Sequence, residues 1–235
     1  PTGRAVEVFS EGRSRILAFG TYDQVWSGTW VVTAFSVPEE QRHTRHALRT
    51  RLRWLGFAPL YDGLWVSPRP MVVKAAEVLR ELGVDAATVL EARVVPDSPK
   101  LGDPISAWDL GELRSLYGRF IDEFTPVAER ARAGTIGAAE GLVTRTRVMD
   151  AWRNFPNLDP ELPLELLGGG TPPSPRAGAW PRAAARRVFV DLYDTLGPLG
   201  EARVREVVEE FSPDLARLVS HHTTAVIDRR PAHSS

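Results

Sequence analysis

Two rhythms of apolar and polar positions divide the chain. From Trp30 to Val37 the run Trp-Val-Val-Thr-Ala-Phe-Ser-Val is β-branched and aromatic and predicts a buried strand, ended by Pro38. From about Pro38 to Gly56, Leu48, Leu52 and Leu55 share one helical face; Pro38 suits a first helical position and Gly56 a stop. Phe57 to Leu60 and Leu64 to Ser67 read as two strands joined through Tyr61-Asp62-Gly63, where Asp-Gly is a hairpin signal. A second amphipathic helix, Met71 to Leu82, stops at Gly83, and Thr88 to Val95 reads as a closing strand. The order strand, helix, strand, strand, helix, strand is that of a ferredoxin-like domain, an antiparallel sheet with both helices on one face.

Beyond a Pro/Asp/Gly-dense loop from Pro96 to Pro104, every periodic segment has helical spacing. Ser106 and Asp109 read as a capping box, followed by Leu110, Leu113, Tyr117, Phe120, Ile121 and Phe124 on one stripe until Pro126. Further helices are expected from about Gly137 to Phe155, Pro181 to Leu196 and Gly200 to Phe211. The fold class is therefore α+β: a ferredoxin-like domain over residues 28–97 and an all-helical domain over 105–212. Gly168 to Pro175 reads as a low-complexity connector, and residues 213–235 as a partly disordered tail.

Before the first domain, Arg4 to Phe9 alternates like the second strand of a hairpin entered through Gly3, and Ser10 reads as the N-cap of a short helix stopping at Gly20. That strand has no partner earlier in the chain, so the expectation is a truncated N-terminal element spanning residues 1–27.

Composition changes this picture modestly. With 235 residues, 43% of them hydrophobic and 25% charged, and seven Trp, the chain is globular rather than disordered. The absence of Cys removes disulfides, thiolate metal sites and cysteine nucleophiles. No apolar run is long enough to span a bilayer, and a cytoplasmic location is the default expectation. Net charge is −1, which favours no class of partner, although Lys74 and Lys100 are the only lysines and all other cations are arginine.

Several patterns bear on chemistry. Arg42, Arg45, Arg49 and Arg53 fall within about one quadrant of a helical wheel. Such a stripe suits, first, a solvated face with local acidic partners and, second, contact with the phosphates of a coenzyme A ester or of DNA. His43 and His46 have the spacing of two metal ligands but lack a convincing third, so no metal is expected. Arg147, Trp152 and Arg153, with Trp108, Tyr117 and Phe120, could stack a flat acyl or aryl group beside a held acid, or could be packing alone. No nucleophile elbow, phosphate-cradling glycine loop or metal-hydrolase signature is present, so no catalytic residue and no cofactor is expected.

A series of motifs stands in one order: Trp26-x-Gly-x-Trp30 with its apolar strand and Val37-Pro38-Glu39; Trp54-Leu55-Gly56-Phe57; Gly63-Leu64-Trp65-Val66-Ser67-Pro68; Arg147-x-x-x-x-Trp152-Arg153-x-Phe155-Pro156; and Asp159-Pro160-x-Leu162-Pro163-x-x-Leu166-Leu167. This series, from about Val8 to Phe211, resembles the phenylacetic-acid-degradation repressor family. The resemblance implies a winged helix-turn-helix head, a ferredoxin-like middle domain similar to a CRISPR-adaptation nuclease subunit, and a helical C-terminal domain. It further implies a homodimeric transcriptional repressor of a catabolic operon, released by an acyl-coenzyme A such as phenylacetyl-coenzyme A or by a related aromatic acid. Gly3 and Arg4 then match the end of the DNA-contacting wing, and operator DNA would be read by a head otherwise missing. Arg42, Arg45, Arg49, Trp108, Tyr117, Arg147, Trp152 and Arg153 are the candidate effector residues. One departure is the Gly/Pro-rich insertion between Leu167 and Trp180-Pro181-Arg182, at the lip of the implied ligand region. The rival readings are a metal-dependent nuclease on the ferredoxin-like domain, against which stands the lack of an acid at the end of the first strand, and a stand-alone binding module.

Overall fold

The computed structural model describes residues 14–21, 25–95, 102–167 and 180–226. The strand expected at Arg4 to Phe9, the cap at Ser10, the connector from Gly168 and the tail beyond Ile227 lie outside the described residues. The chain forms two compact units, one from residues 23–113 with 157–180, the other from 1–22, 114–156 and 181–235.

The first unit carries four strands, β1 (Trp30–Phe35), β2 (Ala58–Tyr61), β3 (Leu64–Ser67) and β4 (Ala87–Ala92), in the order β2-β3-β1-β4 with every pair antiparallel. Helices α2 (Arg42–Trp54) and α3 (Val72–Glu81) complete the ferredoxin-like order; the label α1 is given to the short helical stretch at residues 14–18. One sheet face and both helices share a core of Val31, Phe35, Leu48, Leu52, Trp65, Ala75 and Leu79. Burying a leucine side chain contributes about 1.5–3 kcal/mol, so Leu48 and Leu52, both fully buried, seat α2 on the sheet. On the other side Trp30 lies between Trp26, edge-on at 5.5 Å, and Trp108, stacked at 6.1 Å.

The β2–β3 hairpin closes on Asp62-Gly63, with Tyr61 opposite Leu64 and one irregularity between Pro59 and Tyr61. β2 is an edge strand, which is where a proline without an N–H donor can sit. Gly63 has φ +72°, and its carbonyl accepts the Phe35 N–H at 2.8 Å. A Cβ there would lie 2.6 Å from the Phe35 carbonyl oxygen. The turn is thereby docked against the end of β1.

Helix α4 (Leu110–Arg132) departs twice from expectation. Asp109, not Ser106, caps it, accepting the Glu112 N–H at 2.8 Å, while Ser106 donates to the Asp103 carbonyl. The helix also runs through Pro126 rather than ending there. A proline in a helix interior costs ~3 kcal/mol or more; here Asp122, whose carbonyl loses its partner, and Pro126 are both exposed, and Phe124, Ala128 and Ala131 continue the buried stripe past it.

The second unit packs most of α4 with α1, α5 (Ala138–Trp152), the first two residues of α6 (Phe155–Leu158), α8 (Arg182–Thr195), α9 (Gly197–Glu209) and α10 (Pro213–Ala216); the rest of α6 and the short α7 (Leu164–Leu167) fall within the first unit. Helix α5 ends before Phe155, which opens α6, and α9 starts three residues ahead of the expected Gly200, at a proline-containing first turn. Trp152 is its centre, stacked on Phe189 at 4.7 Å and ringed by Phe19, Phe120 and Phe155 at 5.4–5.6 Å. Its indole N–H donates to the Ile16 carbonyl at 3.0 Å. Residues 219–224 lie as a strap across this unit. The Asp194 carboxylate accepts the N–H and hydroxyl of Thr224, Glu201 accepts the His221 N–H at 3.1 Å, and Arg145 donates to the His222 carbonyl.

Candidate functional site

The arginine stripe of α2 does not act as one surface. Arg42 is exposed at the first turn. Arg45 is committed, donating to Glu39 Oε2 at 2.8 Å and to the Val37 carbonyl at 2.7 Å, which ties the helix start to the end of β1. Arg49 and Arg53, one turn apart, face the β2–β3 hairpin and line an open groove of about 260 Å³ with Pro59, Tyr61, Asp62 and Trp65.

Within this groove Arg49 Nη2 donates to Asp62 Oδ1 at 3.2 Å. Its Nε is buried and has no acceptor among the described residues. Arg53 places its guanidinium 5.3 Å from the Trp65 ring centroid, and among the described residues that guanidinium makes no ion pair or hydrogen bond. A cation over an aromatic face is held in place without spending its donors. Asp62, Trp65 and Tyr61 were absent from the sequence candidates. The Asp-Gly signal predicted the hairpin, but nothing in linear spacing brings residue 62 opposite residue 49.

The other nominated residues occupy different places. Tyr117 and Trp152 are fully buried, Tyr117 stacked on Phe155 at 4.4 Å, so both serve the core of the second unit. Trp108 packs on Trp30 in the first unit. Arg147 pairs with Glu123 at 2.8 Å and Arg153 with Asp150 at 2.7 Å. These two arginines line separate grooves, one with Arg130, Glu140 and Thr144, the other with Arg145, Met149 and Tyr193. In each the cations are already occupied: Arg130 by Glu140, and Arg145 by two carbonyls and the Tyr193 ring at 3.8 Å. Gly3 and Arg4 lie outside the described residues. His43 and His46 are exposed on α2, and among the described residues no three His, Cys, Asp or Glu side chains gather as a metal site. No helix among them is long and apolar enough to cross a membrane.

Two family models match the chain in order: the PaaX protein central Cas2-like domain over residues 23–101, and the PaaX-like protein C-terminal domain over residues 108–206. The chain is also similar to the transcriptional repressor PaaX of Escherichia coli strain K12, with 24% identity over 187 residues, covering 77% of this chain and 56% of that protein. It thus spans about half the length of this curated relative. Among solved structures it is similar to the uncharacterized protein Rv0674 from Mycobacterium tuberculosis, with a TM-score of 0.53 and 19% identity, covering 85% of this chain and 72% of that one. This last likeness concerns the fold alone.

Proposed function

The chain belongs to the PaaX-type family, and from that premise we propose that it is the dimerising, effector-sensing body of a cytoplasmic transcriptional repressor. The observation that carries this reading is the succession of the two family domains in one chain, over residues 23–101 and 108–206. In this reading operator DNA is bound by a winged-helix head of the complete regulator, two copies of which face the two halves of an operator. The regulated genes form a catabolic operon, and the effector is an acyl-coenzyme A such as phenylacetyl-coenzyme A or a related aromatic acid. The body, assigned as a middle domain over 28–97 and a helical domain over 105–212, carries no catalytic step. Its work is to hold two conformations of unequal affinity for DNA, between which an effector selects by binding one better than the other.

Gel-shift titration of the complete gene product on DNA upstream of its own operon tests this. Binding is expected to weaken steeply as salt rises, because phosphate contacts release counterions, and to be relieved by phenylacetyl-coenzyme A. Absence of any shift at low salt overturns the repressor reading. A shift that no acyl-coenzyme A or aromatic acid relieves overturns the effector half of it.

A further inference from the structure

We propose that the groove between α2 and the β2–β3 hairpin binds a small aromatic carboxylate. Its acid group is held by Arg49 and Arg53, and its ring lies along Tyr61 and Pro59. This names a ligand class for the effector-sensing role above and rests on that role only for its consequence at DNA; binding stands by itself.

Three observations converge. The first is unspent donor capacity at one place. Buried N–H groups almost always have an acceptor; Arg49 Nε is buried without one among the described residues, and of the same guanidinium only Nη2 is spent, on Asp62, so the side chain loses little by turning toward an acid in the groove. Beside it Arg53 keeps all its donors, fixed by the ring of Trp65 rather than by an anion. Guanidinium groups offer planar, parallel donors that match a carboxylate or phosphate. In the two grooves of the helical unit, by contrast, the arginines are already satisfied.

The second observation is charge. Arg49 and Arg53 contribute two positive charges and Asp62, which takes one Arg49 donor, a single negative one. One positive charge remains, which a monoanion neutralises and a dianion overshoots. The third is shape and size. At about 260 Å³ the groove falls below the roughly 300–1,000 Å³ of ordinary ligand pockets, so it suits a single-ring acid rather than a whole coenzyme A ester. Tyr61 is more than half exposed, leaving its ring face open to stack.

Isothermal titration of the whole chain with benzoate, acetate and phenyl phosphate decides the matter. Benzoate is expected to bind saturably, acetate more weakly for want of a ring, and phenyl phosphate more weakly because of its second charge. Arg49→Gln and Arg53→Gln should each lower benzoate affinity about ten-fold, as expected for losing a charge-assisted hydrogen bond. Asp62→Asn should raise it, since it removes the one carboxylate in the groove. Asp62 is almost fully exposed and Asn-Gly is itself a favoured hairpin turn, so that variant keeps the fold, and misfolding cannot produce a gain. No saturable benzoate binding, equal affinity in the Arg53→Gln and Asp62→Asn variants, or tighter binding of phenyl phosphate overturns the proposal. Benzoate binding that leaves DNA affinity unchanged retains the site and removes only its role as the effector site.

Discussion

Trp152 shows how one residue type supports opposite readings until its neighbours are known. Beside Arg147 and Arg153 in the sequence it resembles the wall of a ligand site. In the structure it is fully buried, its ring on Phe189 and its N–H on the Ile16 carbonyl, while the two arginines turn outward to Glu123 and Asp150. Aromatic spacing alone cannot separate core from pocket, because both demand a wide apolar surface at helical intervals. Trp152→Ala is therefore expected to act on stability, costing about 3–5 kcal/mol as large-to-small core changes do, with the denaturant midpoint falling accordingly. It should leave benzoate affinity in the α2 groove unchanged wherever the protein remains folded. A Trp152→Ala protein as stable as the parent would remove the core assignment.

At the level of elements, the strap over residues 219–224 has a built-in dependence on pH. The Glu201 carboxyl is held below the usual carboxylate range, first by its hydrogen bond with the His221 side chain, 2.6 Å from Nδ1, then by the His221 backbone N–H, with Arg205 adding to both. A carboxyl depressed in the folded state contributes stability above its unfolded pKa, and that contribution is lost as pH falls through the folded value. Arg205 also donates to the Val219 carbonyl, so the first half of the strap depends on the Glu201 neighbourhood, while Thr224 at its far end is held by Asp194. Acidification below the ordinary carboxylate range should speed hydrogen exchange at the His221 amide, after correction for intrinsic rates. Glu201→Gln should raise exchange at neutral pH and flatten the acid limb; an amide in the parent protein indifferent to pH would contradict this coupling. The strap was not legible in advance, since its anchors Arg145, Asp194 and Glu201 are far from it in sequence. The helices were legible, but not all of their ends. Pro126 normally ends a helix, and only the continued burial of Ala128 and Ala131 carries α4 past it.

Over the whole molecule, the ferredoxin-like order was readable because its strands are continuous apolar runs and its turns fall at Gly56, Gly63 and Gly83, all of which have positive φ. The grouping of residues 157–167 with the sheet unit was not, because short helices around Pro160 and Pro163 give no periodic signal. The candidate groove was half readable: the arginines stood out on one helical face, while Asp62, Tyr61 and Trp65 come to them only through the hairpin. Ligand linkage can be followed globally. An effector at about 100 times its dissociation constant stabilises the state it binds by roughly 2.7 kcal/mol. Thermal unfolding with phenylacetyl-coenzyme A and the matching free acids should show a selective rise in Tm, and no rise with any of them would place the effector outside both classes. The docking of Gly63 against Phe35 gives such binding a mechanical side. Asp62 faces the groove and the next residue carries the hydrogen bond that finishes β1, so the hairpin tip works as a lever with its fulcrum at Gly63. Whatever draws Asp62 aside acts next to that bond, at the end of β1 where Phe35 pairs with Ala87 of β4.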